Sequence, residues 1–257
     1  MQTSSDNDFM TCLLPKPRSS LKETLCRACT VDRLAVKKSP IESPTMPQPE
    51  SPLNNHSSHI EQMTHLGNRL WQRGWCHGGC SNVCMVTQKD PLQMLTIVEY
   101  RDRSQLTEVD FVLVDADGNP IHVEPTAVPP QARLYSVLAE QTGAGCILHT
   151  HSVSAHFLSI RLAALGGLLV EGSQVLKALE GVTSHEQPLW LPILENSRDT
   201  HALADGVRST LQSANTPLHG LIIQQNGLLS WGRDAAEAIR HAEVLEFMIE
   251  CIARQAH

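Results

Sequence analysis

Apolar residues first fall at helical spacing just after His59. Ile60, Met63, Leu66, Leu70 and Trp71 recur every three or four positions, the mark of one buried helical face, and Gly74 closes the run. A loop rich in Gly, Ser and Asn follows over residues 77–82. Short apolar runs at 94–98 and 111–114 predict strands, the second closed by the turn Asp115-Ala116-Asp117-Gly118. Residues 132–140 predict a helix ending at Gly143, and 146–149 a short buried strand. Ser152 is placed to cap a helix through Phe157 and Ile160, and residues 175–179 carry another helical face. Residues 189–194 predict a strand, at a sheet edge or strand end because of Pro192. A helix is predicted over 199–211, then two strands, 221–223 and 228–231, around Asn226-Gly227. Asp234 is placed to cap a long amphipathic helix through Ala238, Val244, Leu245, Phe247 and Met248. The links between strands mix turns with helices. That predicts an α/β fold with a mixed or antiparallel central sheet under helices, not a doubly wound parallel one.

Residues 1–57 break this texture. They are rich in Ser, Pro, Thr, Asn and Gln, with prolines at 15, 17, 40, 44, 47, 49 and 52, and hold no sustained apolar period. Such a segment buries too little apolar surface to offset its ordering entropy. It is expected to be a disordered tail, with the folded domain over 58–257. No apolar run reaches the roughly 18 residues of a membrane span, since Gly166 and Gly167 interrupt the longest. The start of the chain lacks an apolar leader, so a cytoplasmic protein is expected. With 20 basic and 27 acidic residues and a net charge of −7, the chain offers no basic footprint for nucleic acid or an anionic membrane. Cys26 and Cys29 form a CxxC without a second pair, which cannot close a zinc site. Cys76, Cys80 and Cys84 recur at a spacing of four, but Gly78 and Gly79 between them favour loop-lining or buried thiols.

The sharpest chemical signal is His149-Thr150-His151 at the end of a predicted strand. Residues i and i+2 of a strand point to one face, so the two imidazoles are expected to project together. That arrangement suits zinc or a similar divalent ion, with Zn–N near ~2.0–2.1 Å. A third ligand must come from elsewhere. His241 is expected to be partly exposed on the last helix, His156 to pack, and Trp231 to lie in the core.

The segment from Gly143 through Ala144, Gly145, Cys146, Ile147, Leu148, His149, Thr150 and His151 to Ser152 resembles the core motif of the class II aldolase/adducin family. Other stretches agree in order and spacing: residues 65–75, the loop 77–83, 110–120, 171–179, 192–196, and Gly227 to Arg233 with the helix after it. Together they cover about residues 58 to 252. Within the family they are most similar to the methylthioribulose-1-phosphate dehydratases of methionine salvage. The resemblance implies a three-layer αβα fold, a homotetramer with sites between subunits, and one zinc per subunit held by three histidines. It implies a small sugar-phosphate substrate, whose C3 proton and C4 hydroxyl leave as water.

Residue by residue, the resemblance assigns His149 and His151 to the metal. The third histidine's place is taken by Asn226, and the acid/base glutamate's by Gln174. The phosphate loop keeps Gly79, Ser81 and Asn82. The family's small turn after the second strand becomes Val98-Glu99-Tyr100, and a second glutamate becomes Gln131. An amide does not titrate, and an amide oxygen is a weaker zinc donor than imidazole. The implied activity is zinc-dependent dehydration, with the changes at Asn226 and Gln174 expected to impair it. A non-catalytic binding or regulatory subunit and a sibling aldolase or epimerase are the alternatives.

Overall fold

The structure is a computed structural model that describes residues 53–121 and 128–255. The predicted tail and the Cys26/Cys29 pair lie outside the described residues, apart from 53–57. Those five residues correct the expected boundary. A 3-10 turn spans Asn54–His56, helix α1 spans Ser57–Gln72, and Leu53 is buried in the core. Folded structure therefore begins at least five residues before position 58. Met63, Leu66 and Leu70 form the buried face of α1, but Trp71, one position round from Leu70, is half exposed.

Eight strands form one sheet in the order β3-β2-β1-β4-β8-β7-β6-β5. They are β1 Asn82–Lys89, β2 Leu92–Ile97, β3 Phe111–Asp115, β4 Cys146–Thr150, β5 Gly167–Val170, β6 Leu189–Leu194, β7 Gly220–Ile223 and β8 Gly227–Gly232. Every pairing is antiparallel except that of β6 with β7, so the sheet is mixed, as the connections predict. Two strands go beyond the sequence reading. β1 begins inside the predicted loop, at Asn82, and β5 begins at Gly167, the second glycine of the Gly166-Gly167 pair. β6 is not at an edge: it lies between β5 and β7, and Pro192 is accommodated because pairing with β7 begins only at Ile193.

Helices cover both faces. Helices α2 (Ala132–Thr142) and α4 (Thr200–Ser213) pack on one side, where Leu134, Val137, Leu138, Leu203 and Val207 meet Ile147, Leu221 and Leu229 of the sheet. The other side is built from α1, α3 (Val153–Arg161) and α5 (Ala235–Gln255). There Met63, Leu66, Leu70, Ala238 and Ala242 close over Val83, Cys146 and Leu148, while Leu158, Val244 and Ile249 close over Leu168, Ile222 and Leu228. The alternation of β4 is visible in this split: Ile147 faces α2 and α4, while Cys146 and Leu148 face α1 and α5. The caps fall where the sequence puts them. Ser152 Oγ accepts from Ala155 N (3.0 Å), and Asp234 Oδ1 from Glu237 N (2.8 Å).

Candidate active site

Strand β4 lies inside the sheet, paired to β1 on one side and β8 on the other, and delivers the two histidines at its C-terminal end. His149 is opposite Asn82 of β1 and Leu229 of β8. Its ring is 1% exposed and held at both nitrogens: Nδ1 lies 3.3 Å from the Tyr135 hydroxyl on α2, and Nε2 lies 2.5 Å from the Asn226 backbone oxygen. His151 lies one residue past the strand, its backbone N–H donating to the Trp75 carbonyl (2.9 Å). The two imidazole centroids are 4.6 Å apart with planes tilted by 35°, so the expected pairing of the rings is present. Burial pushes His149 down to about 3, the nearby His151 adding to this and the Asn226 carbonyl opposing it. Burial likewise takes His151 to about 4, against the pull of the Cys80 carbonyl and with help from His77 and His156. Both rings are therefore neutral near pH 7. His151 keeps a lone pair on the nitrogen that does not donate to Cys80, whereas His149 donates from Nε2 to the Asn226 carbonyl and meets the Tyr135 hydroxyl at Nδ1, so it can ligate a metal only where one of these bonds gives way.

A cavity of about 310 Å³ opens in front of His151, lined also by His77, Cys80, Ser152, Val153, His156 and Gly227. His149 stands behind this wall. His156, expected to pack, is exposed and lines the cavity. The turn that carries Asn226 is fixed by Gly227, which has φ +87°. A Cβ at Gly227 would overlap the Thr150 carbonyl oxygen, so only glycine lets the turn sit this close to β4.

Gly79, Ser81 and Asn82 flank Cys80, which lines this cavity. Gly79 (φ +73°) stacks against the Tyr100–Arg101 backbone, which a Cβ would strike at 2.7–3.1 Å. Ser81 is buried, and its Oγ has no hydrogen-bond partner. Asn82 uses its whole amide within the sheet: Nδ2 donates to Ile97 O (3.0 Å), and Oδ1 accepts from Thr96 Oγ1 (3.0 Å) and Ile97 N (3.2 Å). Arg103, 2% exposed, donates to the Ser81 carbonyl through Nε and Nη2 (2.8 and 2.6 Å) and through Nη1 to Val98 O and Arg101 O. It ties the loop before β1 to the loop after β2. Burial pushes the Glu99 carboxyl above its ordinary range.

Gln174 opens a 3-10 turn, Gln174–Ala178, and does not line the cavity at His151. Its Nε2 lies 3.4 Å from His185 Nε2. The segment continues to Glu180, whose backbone is held by two histidines: its N–H donates to His241 Nε2 (3.2 Å), and its carbonyl lies 2.7 Å from His219 Nε2. His241 is buried, not partly exposed as its place on the helix suggested, because it turns inward to the Trp231 carbonyl (2.7 Å). Trp231 is in the core, as expected.

The structure brings the imidazoles of His149 and His151 together, while Asn226 meets them through its backbone oxygen, which takes the His149 Nε2 proton. Among the described residues, no three His, Cys, Asp or Glu side chains converge on one point. Tyr135, Arg103 and Glu246 touch this machinery, although the sequence reading passes over all three. Glu246, on α5, hydrogen-bonds through Oε1 with the Thr150 hydroxyl. Its signal was available, since it shares a stripe with Ala242, Ile249 and Ala253, where a carboxylate is out of place.

Comparison with known proteins identifies the ancestry. The family described as "Class II Aldolase and Adducin N-terminal domain" matches residues 61–253. The chain belongs to this family. Methylthioribulose-1-phosphate dehydratase of Xanthomonas campestris pv. campestris is 34% identical over 206 residues, covering 78% of this chain and 93% of its own. The dehydratase of the same name from Serratia proteamaculans is 37% identical over 185 residues, covering 71% and 87%. Among solved structures, L-fuculose-1-phosphate aldolase from Thermus thermophilus shares the fold, with a TM-score of 0.60 at 17% identity, covering 77% of this chain and 96% of its own.

Proposed function

We propose that this chain is a metal-dependent hydro-lyase that dehydrates methylthioribulose 1-phosphate, with the active domain running from Leu53 onward. The observation that carries the reading is the imidazole pair of His149 and His151 beside an open cavity, in a chain whose relatives bear that enzyme's name. Those names favour an enzyme over a non-catalytic subunit.

His149 and His151 would hold the ion, zinc being the choice that two neutral imidazoles favour, with Asn226 contributing an oxygen. When bound, such an ion polarises a carbonyl and stabilises the negative charge that develops as the adjacent C–H bond breaks. Tyr135 orients His149 through Nδ1, and the Asn226 carbonyl, which can only accept, would have to release the Nε2 proton for that nitrogen to ligate. The platform of Gly79, Ser81 and Asn82, braced by Arg103, presents backbone to the phosphate. Gln174 occupies the position of the proton carrier but does not titrate. We assign the working form to a homotetramer in which a neighbouring copy closes the cavity. The apolar side chains exposed on and after α3 (Val153, Ile160, Leu165) suit such an interface.

The test is dehydration of methylthioribulose 1-phosphate by the purified protein, after chelation and again after zinc is restored. Turnover that disappears with the metal, returns with it, and is lost in His149→Ala and His151→Ala is the expected result. Turnover indifferent to chelator, or its absence at every zinc concentration, would overturn the reading.

A further inference from the structure

Thr150 stands between the two histidines, and its side chain points to the opposite face of the sheet, toward α5. There its hydroxyl hydrogen-bonds with Glu246 Oε1. Glu246 is 2% exposed, and its Oε2 is buried without a hydrogen-bond partner. The groups that act on it are the Ser152 and Thr150 hydroxyls and the like-charged Glu250. Burial dominates these and pushes the carboxyl above its ordinary range. A carboxylate placed in this way for stability alone is a poor choice, because an apolar side chain would fill the same space without the desolvation cost.

We infer that Glu246 is a positioning residue for the histidine pair, acting through Thr150. Thr150 is the last residue of β4, and the chain leaves the sheet at His151. The torsion of this residue therefore sets the angle between the two imidazoles. Tyr135 holds His149 from the α2 layer, and Glu246 holds Thr150 from the α5 layer. The end of the strand is gripped from both faces and cannot twist. Oε1 acts as acceptor for the threonine hydroxyl, a role that an amide oxygen fills equally well.

The inference rests on the two-imidazole metal reading for one of its two readouts and is independent of it for the other. Zinc affinity is measured by competition with a chromophoric chelator on the full chain carrying Glu246→Leu, Glu246→Gln, Thr150→Val, or Thr150→Val with Glu246→Leu. The ring-nitrogen NMR resonances of His149 are followed in the same proteins without metal. Thr150→Val and Glu246→Leu should each weaken zinc binding by about tenfold or more, the usual cost of losing a group that orients a ligand. The double variant should be no weaker than Glu246→Leu, since both remove the Thr150–Glu246 bond. Glu246→Gln should stay within about threefold of the parent. Without metal, the His149 resonances should move toward averaged tautomers in Glu246→Leu and remain in place in Glu246→Gln. A folded Glu246→Leu protein with parental zinc affinity and unshifted His149 resonances would overturn the inference. If Glu246→Leu does not fold, Thr150→Val, which removes only the hydroxyl, decides. If the parent protein binds no zinc, the metal reading fails, and the resonances alone decide the positioning role.

Discussion

At Asn226 the β7–β8 turn touches His149 through its backbone oxygen, and one substitution there should change the site's chemistry. Asn226→His is expected to tighten zinc by at least about tenfold, or about 1.4 kcal/mol, measured by chelator competition. An unchanged affinity would mean that this side chain does not face the ion. Combined with Gln174→Glu, it should raise turnover by more than the product of the single effects, because a base has little to act on until the metal acidifies the proton. General acid–base groups typically contribute 10²- to 10⁴-fold, which sets the scale. What could be read at single residues follows from periodicity. His149 and His151 were readable because a strand's alternation fixes their common side. Glu246 was readable in principle, as a charge on an apolar stripe. Arg103 was not, since it lies in the polar stretch from Arg101 to Gln105, and only the folded loops reveal that its guanidinium turns inward to three carbonyls.

The β7–β8 turn is the element on which the site depends most directly. Gly227 combines a positive φ with direct packing on Thr150, so Gly227→Ala must either strain the backbone or lift the turn from β4. A loss of about 2 kcal/mol or more is expected from urea unfolding, with the His149–Asn226 hydrogen bond broken in the variant. A neutral result would show that the turn relaxes freely. Most elements could be read from the sequence because their apolar periods are clean. β1 was hidden because Asn82 ends the polar loop and begins the strand. β5 was hidden because two glycines in an apolar run read as an interruption, whereas Gly166 makes the turn (φ +71°) and Gly167 packs against Trp190. Pro192 suggested an edge for the same local reason. Where a ladder starts is decided by the partner strand, which no single segment contains.

At the scale of the molecule, the Glu180 clamp ties the segment that carries Gln174 to α5, and it should make stability depend on pH. Burial is the main cause lowering both His219 and His241; Glu237 and the Glu180 and Trp231 carbonyls oppose it, and Arg240 adds to it at His241. Above about pH 6.5 both imidazoles are neutral, folded or unfolded, and contribute no pH dependence. Below that value the unfolded chain takes up protons that the folded clamp resists, so stability should fall. Urea midpoints at about pH 7.5 and about pH 5.5 bracket this window, and His241→Gln should reduce the difference. A midpoint that rises on acidification would contradict the clamp. No helix among the described residues is long and apolar enough to cross a membrane. The layering itself was foreseeable, since turns mixed with helices imply a mixed sheet under helices, but which face each helix covers was not. The central place of β4 bears on what its motif can testify to. β4 has three strands on one side and four on the other, and its side chains join the cores on both faces. Foldability alone would preserve this strand, with His149 walled in between Tyr135 and the Asn226 backbone, in a descendant that had ceased to catalyse anything. The side chains of Asn226 and Gln174 carry no such obligation. The histidine motif alone therefore attests to lineage, and it speaks for catalysis only together with the cavity it lies beside.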